Sequence, residues 1–441
     1  MELRSFLALT ETSGDLLTIG RPVDPRLEMA RVIAALEGRP LKFSSVTGSA
    51  HQVVAGLCSG RGLFGLALGC RPDELLTQMA KALADPVTPP LVERAVCQEV
   101  VETQVDLLAL PFLTHWPGDA GPYATAAVAF INDPDSGPSA AFHRLLRLDG
   151  RRMVARLVEG RGTHTALGKT AEDLPVAICI GLPPHILLAA AMSPSPEVDE
   201  MAIAQALAPT PIVRCRTVPL HVPAVAEFVL EGRVTHRSVA EGPFVDLTET
   251  YDIVRQQPVI EIDCITRRQD AIYQALLPGG LEHKLLMGLP REPTIHAAVS
   301  QVCDCRNVHI TPGGASWLHA VVQIDKRHAD DGRRAAEAAF RGHSSLKHVV
   351  VVDGDVDLFD PRQVEWAIAT RFQASRGLLV LEDQPSSSLD PSAEQVPGRK
   401  ARTSKMALDA TIPWDTPRGP SDPSGFRKVA LDPIDLGPYV E

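Results

Sequence analysis

The sequence has no surplus of basic residues: 43 Lys and Arg stand against 54 Asp and Glu, a formal charge of −11. That excludes a chain-wide cationic footprint for nucleic acid. No apolar run approaches the roughly 18–20 residues that a membrane-spanning helix needs. The opening MELRSFLALTETSGDLL carries acids early and has no continuous apolar stretch of the signal-peptide kind. These absences read as a soluble, cytoplasmic protein. The eight cysteines (58, 70, 97, 179, 215, 264, 303 and 305) include no Cys-x-x-Cys pair, so a structural zinc site is not expected. Buried small thiols in a reducing compartment are the reading instead. There is no internal repeat. The glycine-containing SGRGLFGLALG (59–69) is neither a Walker loop nor a complete dinucleotide fingerprint and reads as turns.

What is present is globular in kind. Apolar residues make up 45% and charged residues 22% of 441, enough chain for two or three domains with a real core. Glycine (32) and proline (37) are spread throughout, which favours many short strands and turns over a helical bundle. Helical spacing is predicted over 25–36 and 71–83, with a buried strand at 51–55. The Pro-punctuated 101–117 looks like a connection into a new domain. Strands are predicted over 124–132, 152–159, 176–181, 212–216 and 259–266, interrupted by helices at 184–191 and 197–208. That mixture suggests a barrel or folded sheet with inserted helices. From about 310 the order is strand 317–325, helix 332–341, strand 348–353, helix 361–371, strand 377–382: an α/β domain of its own. The segment 384–404 reads as a long loop returning to the core.

Several residues stand out before any comparison. Arg144, Arg147, Arg151 and Arg152 flank a hairpin predicted at Asp149-Gly150, and Arg144, between His143 and two leucines, is the one expected inward. Glu227 interrupts an apolar run in VPAVAEFVLEG, where a carboxylate is costly to bury unless paired or bound to a metal. His164 lies in the loop-like EGRGTHTALG. Glu282 and His283 follow a Gly-Gly turn at the start of a short predicted helix, placed to face a cleft.

The segments EGPFVDLTETY (241–251), ITRRQDAIYQALLPGG (265–280), DLFDPRQVEWAIATRFQ (357–373) and TSKMALDAT (403–411) together resemble the UbiD family of reversible decarboxylases that use prenylated FMN. The resemblance covers essentially the whole chain, in order. It implies an α/β (α+β) protein in three parts: an N-terminal α/β segment (1–115), a central split-β-barrel flavin-binding domain (116–310), and a C-terminal α/β domain (311–441) that mediates oligomer formation as a homodimer or homohexamer. It implies a divalent metal, Mn2+ or Mg2+, bridging the cofactor phosphate through His164 and Glu227, with K+ nearby. Ser139 stands where the family has an asparagine ligand, a weaker donor to a hard cation. The implied cofactor contacts are Ser139, His143, Arg144, His164, Glu227 and Lys405.

The implied catalytic residues are Glu282 as proton donor, Arg144 as its ion-pair partner, and Asp246. Decarboxylation leaves electron density on carbon, so such a site needs an electron sink, a placed proton donor and an orienting cation. Within the family, GGLEHKLLMGLPREP (279–293) resembles the furandicarboxylate branch. This implies His283 and Arg291 as contacts to a second carboxylate, with 2,5-furandicarboxylate converted to 2-furoate and CO2. Other aromatic acids (phenolic, pyrrole or indole carboxylates) are the alternative substrates. A non-catalytic flavin-binding subunit of a carboxylase complex is the alternative of another class. A prenyl-flavin synthase is the implied cofactor supplier.

Overall fold

The structure is a computed structural model that describes residues 1–395, 400–429 and 434–435. The chain divides into two compact units. The first comprises 1–293, 310–318 and 388–393; the second comprises 294–309, 319–387 and 394–441. The segment expected over 1–115 thus folds into the same unit as the central segment.

The first unit is built on a nine-stranded sheet. Its path runs Tyr123–Ala124, Leu145–Arg147, Arg152–Ala155, Arg255–Arg267, Phe228–Glu241, Leu174–Ile180, Val128–Asp133 and Gly137–Phe142, with Val100–Glu102 pairing to Arg255–Arg267 off that path. The path has two ends, so among the described residues the expected split barrel is an open sheet. Its spine is the antiparallel pairing of two long strands, from Phe228↔Arg267 to Glu241↔Arg255. The predicted hairpin is there: Arg147 pairs with Met153 across the 148–151 turn. A four-stranded sheet of Leu17–Ile19, Leu41–Phe43, Val53–Ala55 and Tyr273–Gln274 lies in the same unit. Fully buried apolar side chains from both sheets, among them Phe43, Val53, Ile178, Phe228 and Ile262, share one core. The helix Pro184–Ala191 is buried almost all round, as the apolar run Ile186–Ala191 demands, and its buried His185 bonds Thr210 Oγ1 at 3.1 Å.

The second unit is a five-stranded sheet ordered Asp304–Ile310, His319–Asp325, His348–Asp353, Arg402–Asp409, Leu378–Pro385. Helices Asp331–Gly342 and Pro361–Arg371 connect its strands. The expected β-α-β-α-β order holds, but a further strand, Arg402–Asp409, which begins inside the 384–404 segment expected as a loop, inserts parallel to His348–Asp353. Leu378–Pro385 is therefore an antiparallel edge strand.

Candidate active site

Three carboxylates from the 241–252 segment converge on one guanidinium of the first unit. Arg144 sits between the strands Gly137–Phe142 and Leu145–Arg147 and faces inward, its side chain 7% exposed. Nε and Nη2 donate to the two carboxylate oxygens of Glu241 at 2.9 and 2.8 Å, the bidentate fork that arginine geometry favours. Nη1 donates to Asp246 at 2.7 Å, and Nη2 also to Asp252 at 3.0 Å. The Phe244 ring lies 4.7 Å from the guanidinium carbon.

The local sequence explains the convergence. Glu241 ends the long strand Phe228–Glu241; Gly242 then takes a φ of +94°, a conformation L side chains rarely adopt. The chain reverses into a short hairpin in which Phe244 pairs with Asp252. Both arms of that hairpin thus hand carboxylates to Arg144. Tyr123 Oη adds a hydrogen bond to Glu241 at 3.2 Å. The three acids differ in access: Glu241 is fully buried, Asp252 is 10% exposed and Asp246 17%. Burial disfavours the charge on Asp252, yet its carboxyl stays below the usual range because Arg255 donates to it and Arg144 lies against it.

His283 borders this cluster, with Asp246 and Arg144 both acting on its charge. Its Nδ1 accepts from the Gly279 amide at 3.1 Å, which places the ring proton on Nε2. Burial holds its pKa down, so the imidazole is a neutral donor. Arg291 is half-buried: Nη2 donates to Ser193 Oγ at 2.6 Å and the guanidinium lies 5.5 Å from the Trp317 ring. Burial, then the nearby charge of Arg161, lowers its pKa to about 10.

Other sequence-derived positions fall elsewhere. Glu282 does not pair with Arg144. Its carboxylate accepts from the backbone amides of Gly56 and Cys58, at 2.8 and 2.9 Å. Two acids on Arg144 went unread as site residues, Glu241 and Asp252, although Glu241 opens the EGPFVD segment five residues before Asp246. Lys405 belongs to the second unit, where Nζ donates to Ser344 O at 2.7 Å over the Phe340 ring, and burial brings its pKa to about 8.

The metal and the flavin implied by the resemblance fare differently. Glu227 is fully buried and taken up by Arg4, which donates Nε and Nη2 to its two oxygens at 3.0 Å each, while the Ile272 amide adds a third bond. The burial cost foreseen from sequence is thus met by an ion pair. His164 is exposed on the helix Gly162–Gly168 and its Nδ1 accepts from the Gly160 amide. Ser139 lies in the strand paired with Val128–Asp133. Among the described residues no three His, Cys, Asp or Glu side chains form a metal-binding group. The residues as placed do not fit a divalent ion.

A flavin fits better. Gln274 spends Oε1 on the Leu182 amide and leaves Nε2 buried without an acceptor, in the strand that leads to the His283 segment. A buried donor in want of an acceptor suits a flavin carbonyl. His143, whose ring bonds Thr163 Oγ1 at 2.9 Å, is kept neutral by burial, with a pKa of about 4.

Comparisons with known proteins agree along the whole chain. Residues 7–83, 91–281 and 284–410 match the N-terminal, Rift-related and C-terminal domains of 3-octaprenyl-4-hydroxybenzoate carboxy-lyase, the UbiD models. The anhydromevalonate phosphate decarboxylase of Methanothermobacter thermautotrophicus is 39% identical over 419 residues, spanning 93% of this chain and 97% of that protein. The UbiD-class enzyme HmfF from Pelotomaculum thermopropionicum, solved in complex with FMN, superposes with a TM-score of 0.94 at 37% identity, covering both chains in full. An evolved dimeric form of HmfF, in complex with prFMN, gives 0.90 at 36%, again over both whole chains. With all three domain models matched in order, the chain belongs to the UbiD family of carboxy-lyases.

Proposed function

We propose that the chain decarboxylates an unsaturated carboxylic acid bearing a second anionic group, with prenylated FMN as cofactor, at the Arg144–Glu241–Asp246–Asp252 cluster. The observation that carries this reading is the buried Arg144 fork, with its most accessible acid, Asp246, beside a neutral imidazole. When bound, the cofactor supplies the electron sink that the chain's own side chains lack. Arg144 orients the departing carboxylate. Glu241, locked in the fork, fixes the guanidinium plane. Two cations, Arg144 and Arg255, face three carboxylates, so an arriving substrate carboxylate adds negative charge that a proton must offset. We assign the return of that proton to the carbon to Asp246, the acid with most access. His283, through Nε2–H, is a hydrogen-bond donor to the substrate. This reading carries no metal step, because Glu227 is held by Arg4.

The second anionic group follows from Arg291. A half-buried guanidinium, its pKa lowered by burial and by Arg161, gains from a negative partner. Two neighbouring arginines suit a phosphate, and the curated relative acts on anhydromevalonate phosphate, which makes that our first substrate. The second is 2,5-furandicarboxylate, favoured by the neutral His283 eight residues before Arg291. Phenolic, pyrrole and indole carboxylates rank below these because they lack a second strong anion. A dimeric assembly supplied by a prenyl-flavin synthase completes the proposal. The test is CO2 release by flavin-loaded protein from anhydromevalonate phosphate, 2,5-furandicarboxylate and the monoacid 2-furoate. Turnover of a two-anion acid is expected, and preference for the monoacid would contradict the reading.

A further inference from the structure

A buried carboxylate that the reaction scheme does not use lies one residue before His283. Glu282 is the second residue of the helix Leu281–Gly288, whose first turn has no side-chain cap, and it is 4% exposed. Its two oxygens accept from the amides of Gly56 and Cys58, and the Leu57 amide also acts on it. These donors converge because the chain turns sharply there. Gly56 has a φ of +74°, and a Cβ on it would stand 2.3 Å from Arg39 O. Consecutive amides around a left-handed residue form a nest that binds an anion. In this molecule the anion is a side chain of the protein itself.

The clamp recurs one helix further on. Glu292, from the helix Glu292–Ser300, takes both oxygens to Arg61 Nη1 at 3.0 and 2.8 Å. Two acids from the 281–292 segment therefore grip the 56–61 loop, one through backbone amides and one through an arginine. Among the described residues the groups that act on Glu282 are backbone amides; burial raises its pKa to about 7, and the amides pull it back only in part.

We propose that Glu282 is a positioning residue: by occupying the 56–58 amide nest it fixes the first turn of the 281–288 helix and so aims His283 at the Arg144–Asp246 cluster, without passing a proton to substrate. This rests on the proposed decarboxylase site, but its structural half can be read without turnover. The first arm is hydrogen–deuterium exchange of full-length wild type and Glu282→Gln. Glutamine offers one acceptor oxygen and turns an N–H against the second amide, so faster exchange is expected in peptides covering 54–60 and 279–286, with the rest of the chain unchanged. Unchanged exchange in those peptides overturns the clamp.

The second arm is steady-state kinetics of the flavin-loaded proteins on anhydromevalonate phosphate. Glu282→Gln should raise KM about ten- to hundredfold, the range lost with a charge-assisted hydrogen bond, and keep kcat within about threefold. Glu282→Ala should raise KM further, making the glutamine a partial rescue. A kcat loss of about a hundredfold or more at unchanged KM is the mark of a proton donor and overturns the positioning role. An inactive wild type counts against the functional reading instead, and the exchange result then decides the clamp alone.

Discussion

Replacing Arg144 with methionine would keep most of the side-chain volume and remove the one cation shared by three acids. Glu241, with no exposure, would lose both bonds of its fork and keep the neutral Tyr123 hydroxyl; Asp246 would lose one bond, while Asp252 would retain Arg255. Removing one partner of a buried pair costs about 3–5 kcal/mol, chiefly as the uncompensated charge left behind. For a unit of this size that corresponds to a fall of roughly 5–10 °C in the midpoint of thermal unfolding. Calorimetry checks this, with Arg144→Lys, a charge without the fork, expected between the two proteins. A midpoint within 1–2 °C of wild type, under the ~5 °C lower bound worked above, would mean that the cluster does not hold charge as described.

Other outcomes are open to measurement. Arg291→Ala should raise KM for a two-anion substrate about 10- to 100-fold and leave that for a monoacid little changed, from the loss of one charge-assisted pair. Arg4→Ala should destabilise the first unit more than Glu227→Gln does, because it strands a fully buried carboxylate whose remaining cation among the described residues is Arg268, at 4.0 Å, whereas the glutamine removes that charge. Glu200, buried and accepting from the Ala140 amide, has its pKa raised by burial to about 7. It binds a proton more tightly folded than unfolded, so it lowers stability as pH rises from about 4.5 to 7, and Glu200→Gln should flatten that part of a denaturation-versus-pH profile.

Much of this architecture can be read along the chain where the forces are local. Pro361 and Pro184 sit in the first turns of their helices, and both helices run over the residues predicted. His348–Asp353, apolar and buried over its four central valines, is the strand its sequence predicts. Non-local forces were harder to read. Phe228–Glu241 carries Glu231, Arg233 and Arg237 and lacks a clean apolar pattern. Its Glu231 is buried because the amides of Arg216 and Thr217 and the Thr217 hydroxyl satisfy it. The segment 59–69 reads as turns along the sequence, yet Arg61–Leu68 is a helix, because packing of the buried Leu63 and Phe64 overrides the local cost of its glycines.

At the site, the leucines beside Arg144 and the cost of burying Glu227 were informative by themselves. Their partners were not, since Arg144 meets Glu241 and Asp252 across about a hundred residues and Arg4 meets Glu227 across more than two hundred. Glu282 is a further case. Its place after a Gly-Gly turn suggested a cleft-facing polar residue, while the amides that hold it come from a loop more than two hundred residues earlier and leave no local trace.

The central claim is that Asp246, carried on Arg144, returns the proton to the carbon that loses CO2. Asp246→Asn keeps an oxygen to accept from Arg144 and removes the proton. Single-turnover decarboxylation by the flavin-loaded variant measures this step directly. A rate lower by about 10²–10⁴, the usual worth of a general acid, with flavin content unchanged, is the predicted result; a rate near wild type would contradict it.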